Sequence, residues 1–158
     1  MGGRPDWAIT RADVSDAGEI MTVQRAAYVT EAQAYDNPHF SALSEPIEQI
    51  RASIANGEVL VARIGTRLVG AVWGVRDGDE CHVGRLVVAP DVRGRGIGAA
   101  LLRAIEEHAT AGIRRFVLFT GDRSEANIRL YRKAGYTLAR TERVAETLSL
   151  VYLEKAAT

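Results

Sequence analysis

Three glycines and two arginines stand within six residues, Arg93-Gly94-Arg95-Gly96-Ile97-Gly98, after the apolar run Leu86-Val87-Val88-Ala89 and before the helical pattern Leu101-Leu102-Arg103-Ala104-Ile105. The order reads strand, loop, helix. Glycines at alternate positions let a backbone approach a ligand closely and turn its N–H groups toward it, while a helix starting there adds the positive end of its dipole. With two guanidinium groups in the loop, the segment is a cradle for an anion, and a pyrophosphate suits it. A plain β-to-α turn with two solvated arginines is the alternative. Among phosphate-binding motifs, the Walker loop fails because no Gly-Lys-Ser/Thr follows. The dinucleotide fingerprint comes closer, since Gly94, Gly96 and Ala99 fit G-x-G-x-x-A and Asp122 lies downstream. That motif needs its first glycine directly after the strand, yet Pro90-Asp91-Val92-Arg93 intervene and no series of βαβ units surrounds it.

Leu86-Val87-Val88-Ala89-Pro90, followed by Arg93 to Ala99, resembles the acetyl-CoA signature of the GNAT N-acetyltransferase superfamily, Gln/Arg-x-x-Gly-x-Gly/Ala. Asn127-Ile128-Arg129-Leu130-Tyr131-Arg132-Lys133-Ala134-Gly135-Tyr136 is similar to that superfamily's later Asn-x-x-x-Tyr…Gly-Phe segment, at the matching distance. The likeness runs from about Trp7 to Glu154; it is strong over residues 80–136 and weak over the first fifty. It implies acetyl-CoA as co-substrate, held by Leu86, Val87, Val88, Arg93, Gly94, Arg95, Gly96, Ile97, Gly98, Ala99, Ser124, Asn127 and Tyr131, with no metal. It also implies a mixed α/β fold of three layers in which the cofactor wedges between the fourth and fifth strands.

Transfer of an acetyl group to an amine sets chemical demands. A primary amine with a pKa of about 10 is protonated at neutral pH and must lose that proton before it attacks a thioester. The oxygen that gains charge is best met by a fixed backbone N–H, and Gly84 inside a strand suggests a bulge or close approach that leaves such donors unpaired. The resemblance assigns those donors to Leu86–Val88. The departing thiolate needs a proton, and Tyr131 matches the superfamily's tyrosine; its spacing from Asn127 puts both on one helix face. For the base, some members carry a strand carboxylate eleven residues before the position of Arg93, where this chain has His82, with Glu80 on the same strand face. Water relays or Glu31 are the alternatives. Neighbours on a strand face opposite ways, so His82 does not activate Cys81 unless a bulge intervenes, and Cys81 reads as a small buried hydrophobe.

The elements that must position these groups are legible from periodicity and turn residues. A short strand at residues 8–11 precedes a helix opened by Asp13 and Asp16; a second helix, capped by Ser44, carries Ile47, Ile50 and Ile54 and ends at Asn56-Gly57. Residues 59–64, 68–76 and 80–89 read as an antiparallel meander. The cradle helix runs to Gly112, residues 116–120 form a buried strand, Ser124 caps a short helix stopped by Gly135, and two strands close the chain. The order is βααβββαβαββ. Between the first two helices, aromatics stand beside acids; Tyr28, Glu31, Tyr35 and Asp36 are the candidates for contact with an amine, through ring faces and countercharge, and a loop that only covers the core is the alternative.

Length and composition set the outer bounds. The 158 residues, 47 % of them hydrophobic, suit one domain spanning 1–158 and one core. Twenty basic against twenty acidic residues exclude a generally basic nucleic-acid binder, and neither a membrane-length apolar run nor a signal peptide is seen. The one cysteine suits a reducing compartment, so a cytoplasmic protein is expected. Charge is unevenly distributed: residues 1–84 carry seven arginines against twelve acids, and residues 85–133 ten basic residues against five acids. The basic half suits a ligand with several phosphates, and the acidic half then favours an amine, unless both are solvated faces. The function expected is acetyl transfer by direct attack of a small-molecule amine. Transfer to a protein or peptide amine, or non-catalytic sensing of acyl-CoA, are the alternatives; assembly as a homodimer stays open.

Overall fold

The structure, a computed structural model, describes residues 5–34 and 44–157, the side chains of Thr30, Glu31 and Ala34 apart. Its elements follow the expected order: β1 (Trp7–Arg11), α1 (Ala17–Ala34), α2 (Ile47–Ala55), β2 (Val59–Ile64), β3 (Arg67–Asp77), β4 (Glu80–Val88), α3 (Ile97–His108), β5 (Arg115–Gly121), α4 (Glu125–Lys133), β6 (Thr137–Ala145) and β7 (Leu148–Ala156). The strands make one seven-stranded sheet in the order β1-β2-β3-β4-β5-β7-β6. Every neighbouring pair is antiparallel except β4 and β5.

Local chemistry accounts for the helix ends. Asp13 and Asp16 form a reciprocal capping box on the short turn that leads into α1: Ser15 N–H donates to Asp13 Oδ2 at 2.9 Å and Asp13 N–H to Asp16 Oδ2 at 2.8 Å. Two expectations shift. The cap of α2 is Pro46, without a side-chain hydrogen bond, rather than Ser44; proline's fixed φ prepares a helix start without a polar side chain. The cradle helix ends at His108, four residues before Gly112, because Ala109 leaves the helical conformation.

Helices cover both faces of the sheet. On one side α3 buries Ile97, Leu101, Leu102 and Ile105, none more than 1 % exposed, a stripe that contributes roughly 1.5–3 kcal/mol per side chain. It lies close to β3 because Gly70 and Gly74 carry no side chain there; a Cβ on either would stand 2.9 Å from Leu101 or Ile105. On the other side α1 and α2 pack Ile20, Gln24 and Ile50 over Val59, Ala71 and Trp73.

Two irregularities matter for function. The parallel pairing of β4 with β5 covers only Glu80–His82 against Arg115–Val117, after which the strands part. In β4, Val87 faces Ala71 while Gly84 faces Trp73, so one extra residue is inserted at Arg85–Leu86, and Arg85 takes φ +50°. The bulge that Gly84 suggested therefore lies one residue further on. Gly84 itself allows a close approach, since a Cβ there would sit 2.8 Å from the Trp73 ring.

Candidate active site

The parting of β4 from β5 opens a cavity of about 1080 Å³. Its walls are residues 83–88 of β4, residues 117–121 of β5, the cradle and first turn of α3, and one face of α4. It continues past His82 and Glu80 at the closed end of the split and along β7. One continuous space thus joins the anion cradle to the residues considered for proton transfer.

At the cradle end, Gly94 and Gly96 have φ +82° and +89°, conformations closed to most side chains. Gly96 is the N-cap of α3 and has no side chain to cap that end, so the first-turn N–H groups lie at the cavity without an intrahelical partner. A Cβ on Gly94 would meet nothing within 4 Å, so the loop is open above its backbone. Arg93 lines the cavity and donates from Nη2 to the Ala27 carbonyl at 3.3 Å, tying the loop to α1. Gly98 sits under Val88 and Leu130. These groups fit a pyrophosphate: uncapped donors, a helix dipole and a guanidinium at the mouth of a long cleft.

Of the residues expected to hold the cofactor, Leu86, Val87, Val88, Arg93, Gly94, Gly96, Ile97, Gly98, Ala99, Ser124, Asn127 and Tyr131 all line the cavity. Arg95 does not; its Nη1 pairs with Asp6 Oδ2 at 3.1 Å. Ala89 N–H donates to Val69 on β3 at 2.8 Å, and amide directions alternate along a strand, so the Val88 N–H is directed away from β3, into the split. Ser124 starts α4 but makes no capping bond with its side chain. Asn127 and Tyr131 reach the cavity from the same face of α4; Tyr131 is 7 % exposed and its ring meets that of Tyr136 at 6.2 Å.

At the closed end, the two base candidates have different surroundings. Arg115 bonds the Glu80 carboxylate through both Nε and Nη2 and also lies 3.5 Å from Glu154. His82 Nε2 stands 3.5 Å from Glu80 Oε1 and 3.7 Å from Asp77 Oδ2, is itself covered, and makes no hydrogen bond among the described residues, although the side chain as a whole is 46 % exposed. The geometry thus commits Glu80 to Arg115 and leaves the imidazole flanked by two carboxylates. Cys81 faces the opposite way, fully buried, and burial pushes its thiol pKa up, with Glu106 adding to the rise against Arg76. Such a thiol resists forming the thiolate that a nucleophile needs.

Tyr28 lines the cavity as expected for the acceptor region, whereas the Glu31 side chain, Tyr35 and Asp36 lie outside the described residues. Several lining residues had no sequence signal. Trp73 reaches the wall from β3, Arg115 and Phe119 from β5, and Tyr152 from β7. Phe119 and Tyr152 pair with centroids 5.6 Å apart, and the Arg140 guanidinium lies 3.8 Å over the Tyr152 ring. Only tertiary pairing brings these together. Gly84 was an indirect sign of Trp73, because a strand glycine often marks the approach of a large neighbour.

Sheet, split strands and cradle together define a class. The chain belongs to the acetyltransferase (GNAT) family, whose model matches residues 22–136. It is 30 % identical over 134 residues to the UPF0157 protein YqkA of Bacillus subtilis, covering 85 % of this chain and 38 % of that protein. It is 37 % identical over 78 residues to the acetyltransferase ECA0875 of Pectobacterium atrosepticum, covering 49 % of this chain and 55 % of that one. The chain thus spans from under two fifths to just over half of these relatives. The PaiA N-acetyltransferase of Thermoplasma acidophilum, solved in complex with coenzyme A, has the same fold, with a TM-score of 0.80 and 17 % identity over 95 % of this chain and 98 % of that one. Among the described residues no helix is long and apolar enough to cross a membrane.

Proposed function

We propose that this chain is an acetyl-CoA-dependent N-acetyltransferase that transfers the acetyl group directly to the amine of a small molecule. The observation that carries the reading is the single cavity that runs from the uncapped end of α3 to His82. Acetyl-CoA, when bound, supplies an activated acetyl group as its thioester. The N–H groups at Gly94 to Ala99, with Arg93, hold the pyrophosphate. The Val88 N–H donates to the oxygen that gains negative charge. The His82 imidazole, whose side chain is partly exposed, takes the proton from the incoming ammonium, directly or through one water, with Glu80 and Asp77 flanking its covered Nε2. Tyr131, on the cavity wall, is the acid for the departing sulfur. A buried unpaired cysteine accords with a reducing, cytoplasmic setting.

Thiol release from acetyl-CoA against a panel of amines, amino acids and peptides tests the reading. Rapid release with small amines is expected. Turnover confined to peptides would move the acceptor to the protein class, and coenzyme binding without release would leave a sensor. With the best acceptor, His82→Ala should lower kcat by roughly 10²–10⁴-fold at neutral pH and be partly offset at high pH, where the amine is already neutral.

A further inference from the structure

The acidic first half of the chain suggested a site for cationic amines, but several of its carboxylates pair with arginines of the second half. Asp6 pairs with Arg95, Glu80 with Arg115 and Glu45 with Arg85. The last of these pairs lies at the bulge of β4, where Arg85 lines both the large cavity and a small one of about 20 Å³ that it shares with Glu45 and Gln24.

Arg85 is, among the described residues, the only one other than glycine with positive φ. Such a backbone is strained and persists where the surroundings over-determine it, often at functional sites. Its side chain, 26 % exposed, lines the cavity wall near Trp73 and Leu86. The guanidinium makes one hydrogen bond among the described residues, from Nη2 to Glu45 Oε2 at 3.0 Å. Glu45 in turn accepts from the Nε2 of buried Gln24 at 3.4 Å. One edge of the fork is therefore fixed from behind, and Nε and Nη1 keep donors for a planar anion.

We propose that Arg85 binds a carboxylate on the acceptor, which makes the substrate class amines that carry an acid group, amino acids first among them. The inference rests on the transferase reading above. His82 and Arg85 are three residues apart on β4, about 10 Å by strand rise, a gap that two side chains and one small amino acid can span. Near His82, Glu80 is bound by Arg115, which it shares with Glu154, and Asp77 is exposed. A charge-assisted fork on a carboxylate discriminates strongly against an acceptor that lacks the acid, since a mostly desolvated guanidinium edge then goes unpaired.

The test is thiol release from acetyl-CoA by the full chain, with each acceptor supplied as matched forms: amino acids against their methyl esters, and short peptides with free against amidated C-termini. The intact chain should prefer the acid form by roughly tenfold or more in kcat/KM. Arg85→Gln should erase that preference while the KM for acetyl-CoA stays unchanged, and Glu45→Gln, which removes the competing carboxylate, should increase it. Because the readout is a ratio within each protein, partial misfolding of one variant does not imitate it. Equal or better turnover of the esters by the intact chain would overturn the inference while leaving the transferase reading in place. So would an equal loss for both forms in Arg85→Gln, which would make the pair merely structural. Preference for a free C-terminus on peptides alone would keep the carboxylate contact and move its source from amino acids to peptides. Absence of turnover with any amine would defeat the transferase reading itself, and this inference with it.

Discussion

Tyr131 is the residue where motif and geometry meet most closely. It reaches the cavity from the same face of α4 as Asn127, and its ring is fixed against Tyr136. If its hydroxyl protonates the leaving sulfur, Tyr131→Phe should reduce kcat by roughly 10²–10⁴-fold and barely alter the KM for acetyl-CoA, a split that steady-state kinetics reads directly. A variant that keeps most of its kcat would assign the proton to water. Sequence could propose His82 and Glu80 but not separate them. What separates them is Arg115, which lies 35 positions away and meets Glu80 only through the register of a parallel strand pair. Glu31, Tyr35 and Asp36 were readable as residues of suitable chemistry, and nothing in the sequence fixes where they sit.

At the scale of elements, the cradle was the most legible part, because strand, glycine loop and apolar helical stripe occupy consecutive residues and are fixed by local rules. Gly96 is the sharpest point of that argument: at φ +89° it caps α3 and bares the first-turn N–H groups. Gly96→Val should abolish measurable binding of coenzyme A in a calorimetric titration, through strain and crowding at the N-terminus, with far-ultraviolet circular dichroism little changed. Undiminished affinity would place the pyrophosphate elsewhere. The bulge at Arg85 was only hinted at by Gly84, since a bulge is a property of two strands and its position needs the register with β3. The tie from α3 to Tyr136, just before β6, and to β7 was likewise hidden. Tyr136 hydroxyl donates to Glu106 Oε2 at 2.8 Å and Lys155 Nζ donates to Glu106 Oε1 at 2.8 Å. Burial, with the Glu106 carboxylate beside it, pushes the Tyr136 phenol far above its ordinary pKa. A folded-state value raised in this way gives stability that is complete below the unfolded tyrosine value of about 10 and is lost as pH climbs above it. Thermal melts should therefore weaken above about pH 10, and Tyr136→Phe should flatten that decline while costing roughly 1–3 kcal/mol near neutrality. An unchanged slope would assign the alkaline loss to other groups.

For the whole molecule, the fold was readable and the charge pattern was readable but open in meaning. The element order follows from local periodicity and turn residues, which is why the seven strands and their helices are legible in the sequence. The opposite charges of the two halves act partly as glue between them, in the pairs of Asp6 with Arg95, Glu45 with Arg85 and Glu80 with Arg115. These pairs are assembled by the sheet and cannot be seen in a count of charges. The same assembly makes one cavity of the cradle, the split strands and the imidazole, and the account stands on direct transfer within it. Mass spectrometry of the chain and of the acceptor after mixing with acetyl-CoA tests this most directly. The account predicts that the chain keeps its mass with or without amine, that the acceptor gains one acetyl group, and that Cys81→Ala does so as well as the parent. An acetylated Cys81, or acetyl-CoA that binds but is never consumed in the presence of amines, would contradict it.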